Sequence, residues 1–204
     1  MEKESATYRT ITQPSEEILY KERKSKFYGY AFPVQSEEEV KSIIEELKKK
    51  HPTANHVCYA WQLGVTDISY RANDDGEPNN SAGMPIYGQI QSFEVTNILI
   101  AVARIFGGTK LGVGGLISAY REAAKIALEN SRIEERVLKG QLQITFDYEE
   151  MDTVMRFIKK HQLEIDSQEL HLNCKIIISV PKNHFRDILS KLKAHHKLEI
   201  KVLS

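Results

Sequence analysis

Nine residues, Gly107 to Gly115, read GGTKLGVGG, and five of them are glycine. They join an apolar run ending in Arg104, Ile105 and Phe106 to a helix-forming stretch that begins LISAYREAAKIAL. Glycine tolerates positive φ and leaves backbone amides uncovered. A helix N-terminus adds N–H groups without partners and a partial positive charge. Gly107, Gly108, Gly112, Gly114 and Gly115, with Lys110 inside the loop and Arg104 just before it, therefore suit an anion. The plainer reading is a tight strand-to-helix turn whose glycines permit close packing, and both readings stand at this level. The loop contains neither G-x-x-x-x-G-K-[ST] nor G-x-G-x-x-G, so a P-loop and a dinucleotide fold are both disfavoured.

A second cluster is acidic. Asp74, Asp75 and Glu77 fall within four residues, in DDGEP. Such carboxylates can hold a hard cation or act as an acid and base pair. Asp-Gly and Glu-Pro are also turn-forming pairs, so a solvated acidic turn is the simpler account. A third possibility is that one of these carboxylates pairs with or caps the basic loop and joins the two motifs.

A third cluster is basic and aromatic: Lys21, Arg23, Lys24 and Lys26 lead into Phe27, Tyr28, Tyr30 and Phe32. Basic residues track phosphates and exposed aromatics stack bases. On a strand, Lys26, Tyr28, Tyr30 and Phe32 share one face. Packing of that aromatic face inside a sheet is the favoured alternative. His56 and Cys58 share a strand face, but two ligands do not make a zinc site. There is no G-x-S-x-G elbow and no C-x-x-C pair, so neither a hydrolase triad nor a zinc knuckle has local support.

The elements that position these groups follow from periodicity. From Gly140 onward, Leu142, Ile144, Phe146 and Tyr148 alternate as a strand. Met151, Val154, Met155 and Ile158 form a helix face. A short strand at Leu163 and Ile165, then alternation from Leu170 to Val180, lead to a helix capped by Asn183, with Leu198, Ile200 and Val202 as a last strand. The order βαββαβ predicts a ferredoxin-like domain over 140–204. The first lobe, 1–139, mixes strands near 7–12, 18–22, 26–34, 57–63, 68–71 and 95–104 with helices. Those helices start at a Ser36–Glu39 capping box, near Pro85, and after Gly115. The last is expected to run to about Leu138. The fold class is α+β.

Composition sets outer limits. Lys plus Arg number 28 and Asp plus Glu 28, with 41% hydrophobic residues. Residues 1–139 hold 18 basic against 19 acidic groups, and 140–204 hold 10 against 9. Neither lobe coats a polyanion by bulk charge, so any such contact is local. The longest apolar run, Ile98 to Ala103, falls short of the ~20 residues of a membrane span. The N-terminal MEKESATYRT has no apolar signal core, so a cytoplasmic protein with two reduced thiols, Cys58 and Cys174, is expected.

KERKSKF (Lys21 to Phe27), HVCYAWQLG (His56 to Gly64), DDGEPNNSAGMPI (Asp74 to Ile86) and VARIFGGTKLGVGGLISAY (Val102 to Tyr120) resemble the IMPACT family in its bacterial two-domain form. The one small departure is Ile105, where the pattern commonly has an aromatic. The resemblance implies a first lobe like ribosomal-protein and GHMP-kinase βα domains, and a second similar to the C-terminal domains of elongation factor G. Eukaryotic members regulate translation by competing for an activator of a starvation-responsive initiation-factor kinase. Nucleic-acid or ribosome binding is the usual suggestion for bacterial members. The kinase phosphate loop has a different sequence, so ATP binding does not carry over.

The expectation is therefore a binding protein linked to translation and stress, contacting RNA, the ribosome or a translation factor. Lys24, Lys26, Arg104, Lys110 and the loop glycines are its anion-binding residues. No catalytic residue, metal, cofactor, membrane or tightly bound small molecule is assigned. Two alternatives stand: a phosphate- or nucleotide-handling enzyme built on Asp74, Asp75 and Glu77 with the glycine loop, and a protein-interaction module.

Overall fold

The run ILIAVARI forms a central strand buried on both sides. In the computed structural model, which describes residues 7–203, this strand is β6 (Ile98–Ile105) of a five-stranded sheet. The others are β2 (Ile18–Glu22), β3 (Ser25–Pro33), β4 (His56–Leu63) and β5 (Ser69–Asn73), in the order β2-β3-β6-β4-β5. Every pairing in it is antiparallel. Such two-sided burial explains a continuous apolar strand in place of an alternating one.

Helices cover both faces. Leu99, Ala101 and Ala103 pack in the core that includes Val40, Ile44 and Leu47 of α1 (Glu37–Lys50). Ile98, Ile100 and Val102 pack in the core shared with α2 (Gly83–Ser92) and α3 (Gly112–Glu129). The predicted cap of α1 forms, with Ser36 Oγ accepting from the Glu39 amide. Glu39 reaches one residue further back than a capping box requires and takes the Gln35 amide.

The expected helix to Leu138 is too long. α3 ends at Glu129, where Asn130 Nδ2 and Ser131 Oγ donate to the carbonyls of Ile126 and Ala127. These local bonds compete with helix continuation. Ile133–Val137 then form β7, which pairs with β1 (Thr7–Ile11) in a two-stranded sheet.

Contacts divide the described chain into Tyr8–Arg136 and a second unit of Val137 onward, with Thr7. Residues 1–6, the start of the segment MEKESATYRT without an apolar signal core, lie outside the described residues. In the second unit, β8 (Lys139–Asp147), α4 (Met151–Lys160), β9 (Glu164–Glu169), β10 (Asn173–Pro181), α5 (Lys182–Lys193) and β11 (Glu199–Val202) follow in βαββαβ order. The sheet order is β11-β8-β10-β9, with antiparallel neighbours. Leu142, Ile144, Phe146, Cys174, Ile176, Ile178 and Val180 bury one face against Val154 and Ile158 of α4 and Ile188 and Leu192 of α5.

Three local readings in this unit change. Tyr148 is exposed in a 3₁₀ turn after β8, and Leu170 and Leu172 are exposed in the turn before β10. Asn183 is not the cap: α5 begins at Lys182, after Pro181, without a side-chain cap bond.

Candidate functional site

Arg104 is where the apolar pattern of β6 breaks. In register it lies between Phe27 of β3 and His56 of β4, so three unlike side chains share one end of the sheet. The guanidinium carbon sits 5.6 Å from the ring centres of both Phe27 and Phe106. Its Nη1 donates to Glu77 Oε1 at 2.5 Å. The Tyr120 hydroxyl of α3 donates to the same oxygen at 2.8 Å. Side-chain exposure is 8% for Arg104 and 4% for Glu77, so this is a buried ion pair. Such a pair is tolerated because each charge neutralises the other, and it fails badly when one partner is lost. Arg104 Nε has no hydrogen-bond partner among the described residues.

The carboxylate of Glu77 therefore joins the acidic turn to the strand that leads into the glycine loop. Its neighbours have other work. Asp74 Oδ1 accepts from the amides of Ala82 and Gly83, and its Oδ2 from Asn80, which caps the start of α2 from a distance. Asp75 accepts from Lys48 Nζ at 2.9 Å and from the Val57 amide at 2.7 Å, tying α1 and β4 to the turn. Its carbonyl faces His56 Nδ1 at 2.7 Å. A carbonyl only accepts, so Nδ1 carries a proton. The Cys58 thiol lies 3.0 Å from the Asp74 carbonyl and 3.3 Å from the Tyr120 hydroxyl. Burial pushes both the thiol and the phenol well above their usual pKa values, so each stays protonated. Among the described residues, no group of three or more His, Cys, Asp or Glu side chains could hold a metal.

The glycine loop contrasts with that turn. Gly107 is pressed against the hairpin before β3: a Cβ there would lie 2.0 Å from the Lys24 carbonyl carbon. Its amide donates to Ser25 Oγ at 3.2 Å. Gly108 and Gly112 hold φ of +86° and +71°, which L side chains avoid. A Cβ at Gly114 would meet nothing within 4 Å. Helix α3 opens there with no side-chain cap and no acidic residue in its first turn. The amides of Gly112, Val113 and Gly114 thus lack intrahelical acceptors at the positive end of an 18-residue helix. Lys110 is exposed and makes no ion pair among the described residues.

A cavity of about 450 Å³ lies between the two motifs, lined by Asn55, His56, Glu77, Pro78, Arg104, Phe106, Lys110, Leu111, Gly112, Val113 and Leu116. Of the residues singled out from sequence, Arg104, Lys110, Gly112 and Glu77 meet at this cavity. Gly114 and Gly115 lie in the first turn beside it. Lys24 approaches the loop through its backbone, and exposed Lys26 alternates with Phe27 and so points to the other side of the sheet. Asp74 and Asp75 stand outside the lining. Sequence reasoning did not find Phe106, Val113 or Tyr120, and it set His56 aside. Only the strand register, which pairs His56 with Arg104, draws that histidine in.

The aromatic row of β3 is packed, not displayed for stacking. Tyr30 is 3% exposed and lies in the core beneath α1. Its hydroxyl donates to Glu17 and meets His51 Nε2, while Lys50 Nζ lies 3.0 Å from Glu17. The Tyr30 bond holds the Glu17 carboxyl below its usual range, and burial lowers His51 and raises Tyr30.

Comparison with known proteins matches the same region. The Impact N-terminal domain model matches residues 23–128, which include the turn before β3, the acidic turn and the glycine loop. An IMPACT family member of Haemophilus influenzae is 30% identical over 196 residues, covering 93% of this chain and 95% of its own. The IMPACT family member YvyE of Bacillus subtilis is 32% identical over 165 residues, covering 81% and 75%. A crystal structure described only as a hypothetical protein superposes with a TM-score of 0.71 at 22% identity, over 98% of both chains, a likeness of fold alone. With the family model spanning the cavity-forming unit and full-length relatives at this identity, the chain belongs to the IMPACT family.

Proposed function

We propose that this protein is a non-catalytic binding protein linked to the regulation of translation, and that it contacts RNA, free or within the ribosome, through the cavity at the start of α3. One observation carries this reading: an uncapped helix N-terminus and an unpaired Lys110 open onto the same concave surface. Both favour negative charge, and phosphate contacts are what fix a protein on a nucleic acid. The link to translation comes from the eukaryotic members of the family. Within the described residues no helix is long and apolar enough to cross a membrane.

An enzymatic reading of the acidic turn is less well supported. Glu77 reaches the cavity, but its Oε1 is held by Arg104 and Tyr120, while Asp74 and Asp75 hold backbone amides. These carboxylates build the site more than they act in it.

The test is RNA binding across a salt titration. Replacing Lys110 with alanine is expected to weaken binding to any sequence, with the salt slope falling by about 1 for the lost phosphate contact. Unchanged affinity and slope sink the assignment. Arg104 is unsuited to this test, because removing it strands Glu77.

A further inference from the structure

The cavity sets hydrogen-bond donors and an apolar wall side by side. We infer that it holds a phosphomonoester on a nucleoside-sized body, the phosphate on the α3 amides and Lys110 and the body against Phe106 and Val113. This inference rests on the reading that the site takes a phosphate-bearing partner, and names the group it takes.

Four observations converge. The amides of Gly112, Val113 and Gly114 have no intrahelical acceptor, and no carboxylate among the described residues caps the helix. Arg104 lines the same cavity, more than nine-tenths buried, with Nε unpartnered. Its one side-chain bond goes to Glu77 Oε1, so the guanidinium keeps hydrogen-bonding capacity after its charge is balanced. Buried donors of this kind are normally satisfied, and an exception calls for a partner. Phe106 and Val113, 41% and 53% exposed, give the mouth an apolar wall that a bare inorganic ion does not use. Gly114 is glycine with neither a positive φ nor a neighbour to explain it. A residue that costs helix stability in open space leaves room for a ligand to approach the backbone.

The choice of monoester over internal diester follows from charge. A volume of about 450 Å³ falls within the range of small-ligand sites. A monoester carries about −1.5 to −2 near neutral pH, against −1 for a diester. That gains more from Lys110 and the helix end, and offsets the repulsion of Glu77 at the wall.

The experiment uses the full chain and four probes at fixed ionic strength: a short oligoribonucleotide with a 5′-phosphate, with a 3′-phosphate, with hydroxyl ends, and free adenosine 5′-monophosphate. A terminal phosphate is expected to tighten oligonucleotide binding about tenfold. Gly114→Glu removes that gain while the melting temperature holds or rises, since a carboxylate at a helix N-terminus is favourable. Lys110→Gln reduces the gain without touching the helix. Equal binding of the phosphorylated and hydroxyl-ended oligonucleotides, still salt-sensitive, overturns this inference and leaves the proposed function standing. Tight binding of the mononucleotide with rejection of every oligonucleotide supports the monoester site and removes RNA as the partner. Failure of all phosphomonoesters to bind overturns it outright.

Discussion

The acidic turn and the glycine loop face the same cavity from opposite sides, and they spend their polar groups in opposite ways. Asp74, Asp75 and Glu77 are directed inward, onto three backbone amides, onto Lys48 and Val57, and onto Arg104 and Tyr120. Among the described residues, the amides at the start of α3 and the amine of Lys110 have no such side-chain partners. Charge density in sequence is therefore a poor guide to function. The motif with three carboxylates spends them on internal bonds, and in the proposed function the nearly uncharged motif is the one that meets the ligand.

The sharpest way to break this comparison is to remove a carboxylate. Glu77→Ala leaves Arg104 charged and buried with no counter-ion, and is expected to cost about 3–5 kcal/mol in chemical denaturation. A double variant, Glu77→Leu with Arg104→Met, recovers a substantial part of that loss, because no charge is then stranded. If Glu77→Ala is as stable as the parent, the turn is not scaffold.

A smaller effect is expected at Asp74. Asp74→Ala releases the amides of Asn80, Ala82 and Gly83, and loss of such a cap costs about 1–2 kcal/mol. Thermal melts of Asp74→Ala and Asp74→Asn resolve it, with the amide variant milder because it still accepts.

The smallest effect has the opposite sign. Gly114→Ala places a methyl in open space within the first turn of α3, and is expected to stabilise the protein by about 0.5–1 kcal/mol. A rise in melting temperature together with weaker phosphate binding shows that glycine is held there against stability. A fall instead means that Gly114 serves the fold, and the contrast between the two loops disappears.

Much of the architecture was legible because it depends on period. The alternation Leu142–Phe146 and Cys174–Val180, and the helical spacing of Val154 and Ile158, each mark one buried face, and those residues are the core of the second unit. The Ser36 cap is equally local. The end of α3 was misread because Ile133 to Val137 join β1, a strand more than 100 positions earlier. A stretch whose partner lies that far away carries no local sign of its conformation.

At the site the same division holds. Chain order alone determined that a glycine-rich turn would feed a helix N-terminus, and that a tight acidic turn would form at DDGEP, since φ tolerance and turn chemistry are properties of the residues themselves. Which carboxylates would be spent, that Glu77 would meet Arg104 across 27 positions, and that Tyr30 would be buried while Lys110 was not, only the packed sheet decided. The physical reason is that pairing a buried charge and leaving an amide open depend on what folds against them. That is set by strand register and helix placement, not by the residues on either side in the chain.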